Sequence, residues 1–170
     1  MKPFPCGGRR FAAPWCTRLT TVSVFAGVAL LATAILVWAQ APSKDWLLRG
    51  LVSATCVGTL GGCAVFTVRG YRLEGRCLYV QRLLWDTRVS LDGLRETAAD
   101  ARAMQGSLRL FGNGGLFAIA GWFRSRRLGS YRAFATDPAR AVVLTFPKRK
   151  IVVTPGDPEA FIRALESNHG

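Results

Sequence analysis

The sequence predicts an α+β protein: a hairpin of two membrane-spanning helices, then a small antiparallel β-domain of about seven strands capped by a C-terminal helix. Three observations predict it. Two runs near the N-terminus, residues 19–39 and 50–68, carry no charged side chain. From Gly70 onward, apolar and polar residues alternate in short segments broken by Gly, Pro and Asp. The chain then closes on a complete helix-start signal at Asp157-Pro158-Glu159.

In the first run the only hydroxyl side chains are Thr20, Thr21, Ser23 and Thr33, and its length matches the ~20 residues a helix needs to cross a bilayer core. The second run is shorter and richer in glycine but still long enough. Helices are the expected form, because lipid offers no hydrogen-bond partner and a helix satisfies its own backbone. Lys2, Arg9, Arg10 and Arg18 precede the first run, and Arg69, Arg72, Arg76, Arg82 and Arg88 follow the second. Only Lys44 and Arg49 lie between the two. The positive-inside bias therefore divides the chain into a cytoplasmic segment 1–18, a first span 19–39, an external loop 40–49, a second span 50–68 and a cytoplasmic domain 69–170. A cleavable signal peptide is the rival reading, with Ala39-Gln40-Ala41 as a small-residue cleavage site and Arg9-Arg10 as a faint twin-arginine leader. The run exceeds the ~7–15 residues of a signal peptide, and Pro42 would stand just after the cut. Two uncleaved spans are therefore expected.

Ala54, Gly58 and Gly62 fall four residues apart and line one face of the second span. Such a face permits close helix approach, either to Gly27, Ala29 and Thr33 of the first helix or to a second copy of the chain. The intramolecular use is the simpler. Cys56 and Cys63 lie in the same span; with Cys6, Cys16 and Cys77 they make five, an odd number without paired close spacing. Neither a disulfide framework nor a metal site is expected, the only histidine being His169.

Beyond Val68 the chain has 102 residues, with 17 Lys and Arg against 9 Asp and Glu. That length suits one small domain, and its net charge of +8 favours anionic lipid surfaces, acidic proteins or nucleic acid. Strands are expected at 70–74, 77–83, 85–91, 94–98, 128–135, 141–146 and 150–154. The clearest alternations are Thr87, Val89, Leu91 and Val142, Leu144, Phe146. Glu74-Gly75, Asp137-Pro138 and Pro147-Lys148-Arg149 read as turns. The last helix is expected from Pro158 to about Asn168, with Asp157 as N-cap, Pro158 at the first position and Glu159 near the positive end of the dipole. Its apolar face, Phe161, Ile162 and Leu165, must dock on the sheet.

Seven short strands followed by one amphipathic helix is the element order of a pleckstrin-homology (PH) fold. The stretch Phe111-Gly112-Asn113-Gly114-Gly115-Leu116-Phe117, then Gly121-Trp122-Phe123, Gly129-Ser130-Tyr131 and the tail from Val153 to Phe161 together resemble the bacterial PH-like domain family. The likeness covers about residues 70–167. It implies a bent antiparallel barrel or sandwich capped by its last helix, in a family often found behind one or two transmembrane helices; for this chain the bacterial inner membrane is the expected location. It supplies no catalytic residues.

Gly112, Gly114 and Gly115 have the freedom to cradle a phosphate. The phosphate-loop pattern nevertheless requires Lys and Ser or Thr where Leu116 and Phe117 stand, so a tight connection between barrel halves is the preferred reading. Two basic clusters, Arg124, Arg126, Arg127 and Arg132, then Lys148, Arg149 and Lys150, are candidates for contact with anionic lipid. The first hairpin, where eukaryotic PH domains that grip phosphoinositides concentrate basic residues, offers only Arg72 and Arg76. Nucleic acid is not an expected partner, since aromatics and arginines do not alternate along any one strand. Catalysis and a cofactor are not expected either, because no base and nucleophile pair is readable. The expected function is binding: a protein or peptide partner, or a second copy of the chain, met by a PH-like domain at the cytoplasmic membrane surface.

Overall fold

The computed structural model describes residues 8–40 and 45–167. Cys6, Lys44, Asn168 and His169, and most of the segment between the two helices, lie outside the described residues. Helices α1 (Thr17–Gln40) and α2 (Trp46–Val65) are both long and apolar enough to cross a membrane. Their 24 and 20 residues reach about 36 and 30 Å at ~1.5 Å per residue, against a hydrocarbon core of about 30 Å. These two candidate spans point to membrane association. Near the segment that joins them the Trp38 indole N–H donates to Ser53 Oγ over 3.0 Å, and the Arg49 guanidinium lies 5.4 Å from the centre of the Trp38 ring.

Both ends of α2 differ from expectation. It starts four residues early and takes Arg49 into its first turn. It also stops at Val65, where Phe66 N–H turns back to Cys63 O and Thr67 N–H to Ala64 O. Val68, counted with the second span for its apolar side chain, instead opens a strand and is wholly buried in the domain.

The domain is a PH-like sandwich of two sheets that do not close into a barrel. One sheet runs β1 (Arg9–Ala12), β2 (Val68–Glu74), β3 (Cys77–Arg82) and β4 (Asp86–Ser90), in that order. The other contains β5 (Glu96–Ala99), β6 (Leu108–Gly114), β7 (Ile119–Ser125), β8 (Gly129–Ala135), β9 (Val142–Thr145) and β10 (Lys150–Val153), in spatial order β5-β9-β10-β8-β7-β6. All neighbours are antiparallel except β8 and β10, which run parallel because β9 crosses outward before the chain returns. Between the sheets, Tyr71, Leu73, Leu78 and Val80 meet Phe134, Val142, Leu144 and Val153. Helix α3 (Pro158–Ser167) covers this core with Phe161 and Leu165, and Asp157 Oδ1 accepts the Ala160 N–H at 2.9 Å as an N-cap should. A second, smaller cluster of Phe123, Tyr131, Val143 and Val152 lies on the other face of the larger sheet, beneath Ala103 and Met104.

Three strands are additional to the seven expected. β1 extends the smaller sheet by pairing with β2 from Arg9↔Leu73 to Ala12↔Gly70. Its Phe11 ring stands edge-on to Phe161 at 5.1 Å, so the segment before the first span is part of the domain. β6 and β7 form a hairpin through the glycine run, in place of the expected connection between barrel halves.

Candidate functional site

Strand direction sorts the domain into two ends. Val68, Arg82, Gly114, Ile119 and Ala135 lie where the helices join, and the β2–β3, β7–β8 and β9–β10 turns lie opposite. The junction is tied by specific contacts. Cys16 N–H donates to Thr136 O over 3.4 Å, Phe117 N–H donates to Ser23 Oγ over 2.9 Å, and the Phe66 and Trp85 rings meet edge-on at 5.6 Å. Around it stand exposed apolar side chains, among them Trp15, Leu83, Leu84, Phe111 and Trp122. Aromatic side chains of this kind are enriched at membrane–water interfaces.

A cleft of about 480 Å³ opens here, between the end of α2 and the flank of the larger sheet. Gly62, Cys63, Phe66, Phe111, Trp122 and Phe134 form its apolar walls, and its charged lining consists of Arg82, Arg109 and Arg132. No carboxylate lines it. Arg82 is only 9% exposed, and its Nε and Nη1 are buried without an acceptor among the described residues. Its guanidinium lies 5.3 Å from the Phe66 ring centre, 5.3 Å from that of Phe134 and 5.9 Å from that of Trp85. Burial first, and the facing charge of Arg132 second, hold the Arg82 pKa below the ordinary arginine value. A larger cavity, about 640 Å³, lies beside α1 between Leu19, Val22, Met104, Ile119 and Phe123, with Arg18 as its only charged lining.

The glycine run is occupied by its own turn. Asn113 Oδ1 accepts from Leu116 N–H at 3.1 Å and Gly115 N–H at 3.4 Å, while its Nδ2 donates to Leu116 O. Gly112 and Gly121 face one another across β6 and β7 with φ of +108° and +153°. A Cβ on Gly121 would come within 2.1 Å of Phe111 O, so glycine is required there by backbone contact.

The structure separates the basic residues singled out from the sequence. Arg124, Arg126, Arg127, Lys148, Arg149 and Lys150 sit at the end away from the helices. Arg127 pairs with Asp100 at 3.4 Å, and Arg149 donates to Ser90 O at 3.0 Å. Arg132 alone lines the cleft, joined by Arg82 and Arg109, which composition did not single out. Their signal is position: Arg82 immediately precedes the apolar turn Leu83-Leu84-Trp85, the sequence of a basic side chain at an interface. In the first hairpin Arg72 lies within 4 Å of Glu74 and Asp86, and Arg76 pairs with Asp92 at 3.0 Å. Along α2, a Cβ on Gly58 or Gly62 would meet nothing within 4 Å, and the same holds for Gly27 on α1. The face formed by Ala54, Gly58 and Gly62 is thus open rather than packed on the first helix.

The sequence model of one protein family, described as Bacterial PH domain, matches residues 69–169. No curated protein and no solved structure matches the chain.

Proposed function

The chain belongs to the bacterial PH domain family, and from that premise we propose that it is a non-enzymatic, two-span protein of the bacterial inner membrane. Both termini are cytoplasmic, and the PH-like domain binds a protein or peptide at the membrane surface. Charge supports the orientation, since arginines crowd the sequence before α1 and after α2 and are sparse between them.

The observation that carries the binding reading is the β6 edge. Among the described residues this strand pairs only with β7, yet Leu108 is 73%, Leu110 58% and Phe111 78% exposed. Natural sheets guard such edges with charge or cover, because an unpaired apolar strand templates addition of another. An extended peptide added to β6 would gain main-chain hydrogen bonds there and side-chain contacts with Phe111 and Trp122. At the edge of the smaller sheet the chain already uses this mode on itself, with β1 laid along β2 and Phe11 set against Phe161 of α3. Basic side chains near the helix junction add attraction to anionic lipid, about 1 kcal/mol each when close to the surface. The test is photo-crosslinking from β6 in native membranes. A heterologous adduct lost on Phe111→Lys supports the reading, and an adduct indifferent to Phe111→Lys and Leu110→Lys refutes it.

A second reading is self-association through α2, favoured by the open face at Gly58 and Gly62. Gly58→Leu with Gly62→Leu should then abolish homo-oligomeric crosslinks in native membranes, whereas unchanged oligomers would exclude it.

A further inference from the structure

We propose that the cleft between α2 and the larger sheet is a binding site for the phosphate of an anionic phospholipid, held by Arg82 and Arg132 and flanked by Phe66 and Trp122. This rests on the reading of α1 and α2 as membrane spans but is independent of the protein partner. The argument begins with an unmet requirement. Two buried donors of Arg82, Nε and Nη1, have no acceptor among the described residues. Leaving a charged donor unsatisfied in low dielectric is costly, and aromatic rings around the guanidinium offset the charge without accepting those N–H groups. Arg132, its guanidinium 4.8 Å from the Phe134 ring centre, adds a second positive charge to the same cleft. Arg109 brings a third. None of the three takes part in the ion pairs found among the described residues. Three like charges lining one cleft without a carboxylate repel one another until an anion enters, and a phosphate oxygen is an acceptor that guanidinium binds with fixed geometry.

The walls specify which phosphate. Gly62, Cys63 and Phe66 belong to the end of α2 and the residue after it, so the cleft meets the end of a candidate membrane span. A free phosphate has no use for Phe66, Phe111 and Trp122, whereas the glycerol and upper acyl carbons of a phospholipid do. The volume, about 480 Å³, lies within the range of ordinary small-molecule sites.

The test uses the full chain in neutral detergent, with phosphatidylglycerol, phosphatidylcholine and inorganic phosphate as separate probes read by native mass spectrometry and thermal midpoint. Phosphatidylglycerol should be retained one per chain and should raise the midpoint, while phosphatidylcholine is lost. Arg132→Gln should weaken phosphatidylglycerol about tenfold (about 1.4 kcal/mol), Arg82→Gln should do at least as much, and Arg102→Gln, on an exposed turn, should change nothing. Arg132→Gln keeps the test valid if the more buried Arg82→Gln does not fold. Equal retention of both lipids, or phosphatidylglycerol held as well by Arg132→Gln as by Arg102→Gln, would overturn the proposal. So would stabilisation by inorganic phosphate equal to that by phosphatidylglycerol, which would assign the cleft to the free anion. Because binding is read in detergent, these results stand apart from those on the β6 partner.

Discussion

Replacing Tyr71 with Phe removes one oxygen and no carbon, yet that oxygen joins three parts of the molecule. The side chain is wholly buried; its hydroxyl donates to Phe134 O and accepts from Thr154 N–H at 3.0 Å. Thr154 Oγ1 in turn accepts from Thr136 N–H at 2.9 Å, and Thr136 Oγ1 donates to Pro14 O at 2.8 Å. The hydroxyl thus ties β2 to the opposite sheet and, through the threonines, to the segment that leads into α1. Tyr71→Phe removes the hydrogen bond to a carbonyl on β8 and the one from an amide just after β10. At about 0.5–1.5 kcal/mol for each bond, the cost should be about 1–3 kcal/mol.

The pH dependence gives a second handle on the same group. Burial, opposed by the hydrogen bonds with Thr154, pushes the Tyr71 phenol from 10.0 up to about 12. The unfolded chain therefore gives up this proton near pH 10 and the folded chain near pH 12. The associated stability is complete below pH 10 and is lost as pH rises through 12, up to about 3 kcal/mol for two pKa units. The Phe variant lacks that component, while Tyr131, present in both chains, cancels from the comparison. Urea unfolding in detergent at pH 7.5 and at pH 11.5 measures both effects. A variant within about 0.5 kcal/mol of the parent at pH 7.5, or a gap that fails to narrow at pH 11.5, would refute the reasoning, since the predicted loss is larger.

Gly121→Ala, which brings Cβ to 2.1 Å from Phe111 O at a φ of +153°, should cost at least about 2 kcal/mol in the same unfolding assay. Gly75→Ala, at φ +54° with nothing within 4 Å of the new atom, should cost only about 1 kcal/mol, and equal costs would contradict the close approach of β6 and β7. Phe11→Ala removes the edge-on contact with Phe161 and should destabilise the domain by about 2–4 kcal/mol. A neutral result would mean that β1 is not an integral strand.

The sequence makes some elements plain and conceals others for physical reasons. Strands with one buried face, such as β3 with Leu78 and Val80, show the period-two pattern, and the start of α3 shows its N-cap and proline. β6 does not, because Leu108, Leu110 and Phe111 are exposed and Gly112 is fixed by a backbone contact with β7 rather than by a side-chain face. β1 spans only Arg9–Ala12 and depends on pairing with a strand nearly sixty residues away, a separation that no local pattern reports. Val68 shows why composition misplaced the end of α2, since an apolar residue at a junction serves lipid and core equally well. For the cleft, Arg132 stands in a basic cluster of the sequence, whereas Arg82 counts there only toward orientation. Its importance comes from three aromatic rings contributed by α2's end, the β3–β4 turn and β8.

The central claim is that two spans hold this PH-like domain at the cytoplasmic face of the membrane, and cysteine accessibility tests it most directly. In a chain freed of its five native cysteines, Lys44→Cys reports the segment between α1 and α2, and Lys148→Cys reports the exposed β9–β10 turn. A membrane-impermeant maleimide should label Lys44→Cys in intact cells and Lys148→Cys only after permeabilisation. Labelling of Lys148→Cys in intact cells, with Lys44→Cys protected, would contradict the account.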